Sequence, residues 1–329
     1  MFTVVVTKKN TRRILTVIVL ILLVIIGFTV YGSVKRRLYA VKGGVTVEGQ
    51  DFSGLFRQEA YEKLEEMAGT FYKSPSDAFY LSETGEIISE NYGIQVNVME
   101  TLDAVMSASK GEEIKLSVST VAPSVTSDMM KPIYSVNTDR KAVAIGINVA
   151  WGEDYLPGIL EELEKRHINC TFFITGTWGK QFPDMVNRIY QGGHELANHG
   201  YGHPHVENMN ESGLVDLIKT NEKLIKEITG FTTNLFTPPY GEVNERISSI
   251  AGKQGYRTTM WTIDTIDWKL PEPDVIVQRV MGKLVPGAII LAHPTEPTLK
   301  ALPTLLNQLK SQGYEVMTIS ELLALENDV

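Results

Sequence analysis

Residues 141–151, KAVAIGINVAW, form an apolar run of small and β-branched side chains that stops abruptly at a tryptophan and a turn. Such a run reads as a strand. The pattern repeats downstream, with strand-like runs at 142–149, 169–175, 195–198, 234–237, 256–263, 288–292 and 315–319. Helical patterns lie between several of them. Leu214, Leu217, Ile218, Leu224, Ile225 and Ile228, for example, share one face at 3.6-residue spacing. Seven strands alternating with helices predict a parallel α/β fold, most simply a barrel, with its chemistry at the C-terminal ends of the strands.

The polar clusters do follow the strands. Residues 193–204 read GHELANHGYGHP, in which His199 and His203 stand four apart and can converge on one metal if the segment turns. The alternative is a pair of surface histidines. Residues 262–268, TIDTIDW, end a strand with Asp264, Asp267 and Trp268, and residues 290–295, ILAHPT, end another with His293. A carboxylate on a histidine's second nitrogen raises its basicity and makes it a competent general acid. Asp264 as a loop cap and His293 as a core residue remain the structural alternatives. The single cysteine, Cys170, excludes a disulfide framework and a multi-cysteine zinc site. Neither a G-x-G-x-x-G nor a Walker loop occurs, so nucleotide and redox chemistry have no support.

From about Lys141 to Leu325 the chain resembles the polysaccharide deacetylases, the NodB-homology or carbohydrate esterase family 4. GHELANHGYGHP resembles the family's GHEIGNHTYTHP, LFTPPYG (residues 235–241) its LFRPPYG, TIDTIDW its D-x-x-D-W motif, and ILAHPT its terminal L-x-H strand. The resemblance implies a distorted (β/α)7 barrel. It also implies hydrolysis of N-acetyl groups on amino sugars such as those of peptidoglycan, with a divalent metal, often zinc. By the same resemblance His199 and His203 are metal ligands, His293 the general acid and Asp264 its orienting partner. The Tyr240 amide supports the oxyanion, and Trp268 lines the sugar groove beside Pro239 and Tyr240.

The first motif departs from the family. Where T-F-D-D-G-P supplies a base and an acidic metal ligand, this chain has residues 146–151, GINVAW. Asn148 stands at the base position and Val149 at the ligand position. Asparagine takes no proton at neutral pH and valine binds no metal. The arginine that pairs with the base is replaced by Thr237, so both members of one ion pair are lost together, which avoids an unpaired buried charge. The N-V-A-W-G wording resembles a membrane-anchored branch of the family found in spore-forming bacteria. Two readings follow: a deacetylase in which Glu153 or Asp154 supplies the missing carboxylate, or a pseudo-enzyme that keeps the groove and binds wall glycan.

Upstream, residues 122–140 are polar and irregular and read as a linker. Residues 38–121 read as a small α+β module, with a strand at Val45 and Val47, a helix burying Ala60, Leu64 and Met67, a hairpin at Glu83-Thr84-Gly85, and strands at 94–98 and 116–121. It resembles small wall-associated modules, and a plain spacer fits equally. Ile14 to Tyr31 carries no charge and is followed by Gly32-Ser33-Val34 and Lys35-Arg36-Arg37 without an A-x-A site. This reads as an uncleaved signal-anchor that holds a single-pass protein in the cell membrane with its body outside. All seven bases before residue 38 flank that run, leaving 24 bases against 39 acids beyond it, a net of −15. Such a surface repels phosphate backbones and excludes general nucleic-acid binding.

Overall fold

The computed structural model describes residues 8–328 apart from residue 82; residues 1–7, the start of the expected cytoplasmic tail, lie outside it. The chain forms two compact units, one running up to residue 76 with 91–123, the other comprising 77–90 with 124–329.

In the first unit a helix spans Lys8–Tyr39, and its 25-residue stretch Leu15–Tyr39, with a mean hydropathy of 2.8 over an 18-residue window, is long and apolar enough to cross a membrane. The apolar helix therefore runs past the expected Tyr31 and through Lys35-Arg36-Arg37. Arg36 donates to the Gly54 carbonyl at 3.1 Å and lies over the Phe56 ring at 5.0 Å, which ties the helix to the small module. The module's helix Arg57–Phe71 buries Ala60, Leu64 and Met67, the face read from their spacing. These pack with Val47, Phe52, Leu102 and Val105.

The second unit is a curled parallel sheet, whose strands we number β1 (Ala142–Val149), β2 (Thr171–Ile174), β3 (Glu195–Asn198), β4 (Leu235–Phe236), β5 (Arg257–Thr258), β6 (Ile263–Asp264), β7 (Ile289–Ala292) and β8 (Glu315–Met317). The order is β5-β4-β3-β2-β1-β7-β6, with β8 on the first residues of β1. This is the distorted barrel of the sequence reading. Side chains alternate along β1. Val143, Ile145, Ile147 and Val149 pack outward against helical residues such as Leu156, Ile159 and Leu302. Ala144 faces inward with Phe173, Ala197 and Ile289.

Two expectations are corrected. The run 256–263 is not one strand: it breaks into β5 and β6 at opposite ends of the sheet, giving eight strands rather than seven. After β5 the chain leaves β4 and crosses to β7, so that the Thr259 N–H bonds Phe236 and the Thr262 N–H bonds Ile289. The second correction concerns residues 122–140, most of which are not a linker. The Ile133 N–H donates to Thr258, the Met260 N–H to Ile133, and the Val136 N–H to Gly287. The segment thus fills the seam between β5 and β7. Gly287 is required there: it has φ +73°, and a Cβ would lie 1.8 Å from the Val136 carbonyl oxygen. The hairpin Phe79–Leu81/Glu86–Ile88 also belongs to this unit, its flank held by Asp77, which accepts from the N–H groups of Ser124 and Val125. The buried Val125, Met130 and Val136 are spaced without helical or strand period, so the pattern hides their role.

His194 shows how the barrel's interior titrates. Its buried ring lies edge-on to Phe172 at 5.0 Å, and its Nδ1 accepts the Cys170 N–H at 3.2 Å, so the ring is neutral. Burial lowers its pKa from 6.5 to about 4. A depressed histidine contributes stability that is present above the unfolded value and lost as pH falls toward the folded one. Stability is therefore expected to drop between pH 6.5 and about 4, by at most roughly 1.4 kcal/mol per pH unit from this residue. Thermal unfolding of the detergent-solubilised chain checks this, with the slope flattened in His194→Gln.

Candidate active site

The C-terminal ends of β1, β3, β6 and β7 surround a cavity of about 460 Å³. Asn148, His199, His203, Asp264 and His293 border it, and Trp151, Tyr240, Trp261 and Trp268 supply its aromatic walls. The structure therefore brings together the residues singled out from four separate motifs. Pro239 is the exception: it is buried beneath the loop and does not border the cavity.

Asn148 points inward from the end of β1, buried, with its Oδ1 lacking a hydrogen-bond partner among the described residues. Val149 points the other way, into the apolar layer with Ile145 and Ile147. Thr237, at the expected arginine position, is buried and donates its hydroxyl to the Thr259 carbonyl at 2.6 Å. Among the residues that border the cavity neither Glu153 nor Asp154 is found.

His199 is buried, and its Nδ1–H donates to the Thr237 carbonyl at 2.7 Å, which fixes the tautomer and leaves Nε2 with a lone pair. Burial pushes its pKa down to about 3. His203, 5.1 Å from it between ring centres, is lowered for the same reason. Both rings are thus neutral at pH 7, the state that binds metal. Among the described residues, however, no three histidine, cysteine, aspartate or glutamate side chains converge. Catalytic zinc sites use three protein ligands. Two imidazoles, with Val149 turned into the apolar layer, do not fit a resident catalytic metal.

The partner of His293 is Asp267, not Asp264. Its carboxylate, fully buried, accepts the His293 Nδ1–H at 2.8 Å, the His293 backbone N–H at 2.6 Å and the Thr298 hydroxyl at 2.6 Å. Asp264 instead accepts the Ile266 N–H at 2.7 Å, a loop cap at the cavity edge. The physical reason lies in the backbone. Ile266 takes φ +55°, and the left-handed turn swings Asp267 back beneath His293. The two carboxylates of the D-x-x-D motif were visible in the sequence, but the turn that separates their roles was not. With Nδ1 committed, Nε2 is the His293 nitrogen left for the cavity.

Three further contacts escaped the sequence reading. Trp151 stacks on His293 with ring centres 5.9 Å apart and planes 5° from parallel. Gly152 allows this: at φ +93° it brings the β1 loop against the β7 loop, where a Cβ would meet the Pro294 carbonyl oxygen at 2.2 Å. Tyr240, at φ +59°, is held between His203 and a parallel His205 at 4.2 Å. Glu242 pins that corner by accepting from His205 and from the backbone N–H groups of Val206 and Glu207. Because Asp267 anchors three donors and Asp264 caps one, Asp267→Asn is expected to cost about 1–3 kcal/mol and Asp264→Asn less than about 1 kcal/mol. Thermal unfolding of the two variants ranks them.

Residues 135–259 match the polysaccharide deacetylase family model. The chain is 32% identical over 191 residues to a peptidoglycan-N-acetylglucosamine deacetylase of Bacillus cereus, covering 56% of this chain and 70% of that protein. The crystal structure of a CE4 family pseudoenzyme from Bacillus anthracis superposes with a TM-score of 0.59 at 36% identity, covering 80% of this chain and 95% of that one. A mutant of the same pseudoenzyme with restored enzymatic activity gives a TM-score of 0.59 at 35% identity, covering 80% and 98%. Deacetylases of this kind are metal-dependent in general, and the departures at Asn148 and Val149 are departures within a shared fold. The chain belongs to the polysaccharide deacetylase family.

Proposed function

We propose that this chain binds N-acetylated amino sugars of the cell wall, peptidoglycan above all, in the barrel cavity, and that the wild-type first motif holds back the hydrolytic step. One observation carries the reading: an aromatic-walled cavity of about 460 Å³ is kept, while the residue at its base position is a buried, neutral Asn148. That volume suits a sugar unit, and tryptophan and tyrosine faces suit its apolar ring surfaces. With an amide at Asn148, the position where the family resemblance puts the base takes no proton from an attacking water. The acetyl-bearing unit can dock against Trp268 and Tyr240, the Tyr240 amide can meet its carbonyl, and the chemistry stops there.

A second reading, slow deacetylation, is favoured by the intact His293–Asp267 pair, which is built to hand a proton to a departing amine. Zinc enters either reading only through His199 and His203, and a two-imidazole site holds it less tightly than a three-ligand one. The N-terminal apolar helix supports a membrane-anchored protein whose barrel works at the wall. The B. cereus relative, a peptidoglycan-N-acetylglucosamine deacetylase, supports the choice of glycan.

Acetate release from peptidoglycan separates the two readings. The detergent-solubilised wild-type chain is expected to bind peptidoglycan in a sedimentation assay and to release acetate at background rate. Release at the rate of an unaltered family member would overturn the binding reading. Asn148→Asp combined with Val149→Asp is expected to raise release by about 10²-fold or more, the usual worth of a positioned base. The gain comes at the expense of stability. Val149 packs in the apolar layer, and a carboxylate there costs several kcal/mol unless the strand end turns it toward the cavity. Trp268→Ala is expected to weaken peptidoglycan binding without lowering the melting temperature, because its ring is half exposed.

A further inference from the structure

Asn148 is 6% exposed at the end of β1, and its Oδ1 is buried without a hydrogen-bond partner. Of the unpaired buried side-chain atoms among the described residues, this one alone belongs to a residue that borders the cavity. A buried polar atom left unpaired costs about 1–3 kcal/mol, and an apolar side chain of the same shape would spare the fold that cost. Nothing in the strand asks for a polar group here. Ala144, on the same face of β1, packs inward with Phe173 and Ala197, and Val149 beside it is aliphatic. An orphaned atom of this kind calls for a partner that the fold itself does not supply.

The chemistry of the carboxamide narrows what that partner is. An amide takes no proton at neutral pH, and it is not among the zinc ligands that catalytic sites use. It offers an acceptor oxygen and an NH2 donor on a soft, twofold torsion, so either edge can turn toward the cavity. The neutral group that answers both is another amide. A secondary acetamide carries its carbonyl and its N–H on opposite edges. The Tyr240 backbone N–H, in the loop after β4, can take the carbonyl. Asn148 enters from β1, with β3 and β2 lying between the two strands, so it approaches from a different wall and can accept the N–H.

We propose that Asn148 is a specificity-determining residue, whose carboxamide accepts the N–H of a sugar's acetamido group and so selects acetylated units over deacetylated ones. This rests on the sugar reading of the cavity. A deacetylated unit presents an ammonium, which gives up its hydration on entering and finds a neutral partner at Asn148. His199 and His203, both neutral, bring no negative charge to it. Asp264 is the one carboxylate that borders the cavity among the described residues, and it lies at the edge, already accepting the Ile266 N–H at 2.7 Å. Asn148→Asp places an anion where the ammonium would lie, and the preference then moves toward the amine.

Titration calorimetry of the full-length chain in detergent at neutral pH tests this, with N-acetylglucosamine tetramer and glucosamine tetramer as probes. The wild-type chain is expected to bind the acetylated tetramer about tenfold tighter or more. Asn148→Leu, close in volume, is expected to weaken that binding by about three- to tenfold, the worth of one neutral hydrogen bond. Its melting temperature is expected to hold or rise, because no buried polar atom is left unpaired. A lower melting temperature with unchanged affinity is the mark of a purely structural amide and overturns the inference. Asn148→Asp, of the same shape, is expected to shift the ratio of the two affinities by about tenfold or more toward glucosamine, and it decides the matter if the leucine variant does not fold. Equal affinity of the wild-type chain for the two tetramers, or a ratio unchanged in Asn148→Asp, overturns the role of Asn148 while leaving the sugar reading intact. Absence of binding by either tetramer overturns the sugar reading of the cavity, and this inference falls with it.

Discussion

The buried carboxylate of Asp267 organises the working end of the barrel. It has no solvent exposure and accepts three hydrogen bonds, two from His293 at the end of β7 and one from Thr298 on the helix that follows. A buried carboxyl group is tolerable there because both of its oxygens accept hydrogen bonds. Its position in turn depends on the left-handed Ile266, which bends the chain after β6. From this single knot follow the orientation of His293, the seat of Trp151 against it, and the shape of the loops that wall the cavity.

Across the cavity the constraint is of the opposite kind. Asn148 and Thr237, where the family resemblance implies a charged pair, are both neutral and buried. A lone aspartate there would face no cation, and a lone arginine no anion, at a cost of several kcal/mol. Replacing both leaves a quiet wall: Thr237 satisfies its hydroxyl on Thr259 and lends its carbonyl to His199. Val149 goes further and joins the apolar layer, so the strand end is regular through its pairing with Ile174. The same alternation that turns Asn148 inward turns Val149 outward. For that reason the two neighbouring positions answer to different surroundings, Asn148 to the cavity and Val149 to the apolar layer.

Much of this was legible in the residues. The period of two along 142–149 marked β1, and the spacing of Ala60, Leu64 and Met67 marked a buried helix face. The clusters after the strands marked His199, His203 and His293 at one cavity. What stayed hidden turns on backbone conformation rather than residue type. The swap between Asp264 and Asp267 depends on φ at Ile266. The break of 256–263 into β5 and β6 depends on the chain changing partners from β4 to β7. The seam-filling role of residues 133–136 depends on backbone hydrogen bonds, which any residue type can make, and on Gly287, whose need for positive φ is invisible until Val136 lies against it.

Retention of the histidines and of Asp267 is therefore weaker testimony to catalysis than it first looks. His199 satisfies the buried Thr237 carbonyl, and Asp267 satisfies three donors of the loop that closes the barrel end. Removing either strands buried polar groups at about 1–3 kcal/mol each. That is a sizeable fraction of the 5–15 kcal/mol that holds a typical domain together. Selection for folding alone would keep them. The rim aromatic Trp268 carries no such obligation: it stands 50% exposed, where a smaller polar side chain would serve the fold as well. Trp268 has no structural debt to discharge, so it bears more directly on the proposed binding than the buried polar residues do.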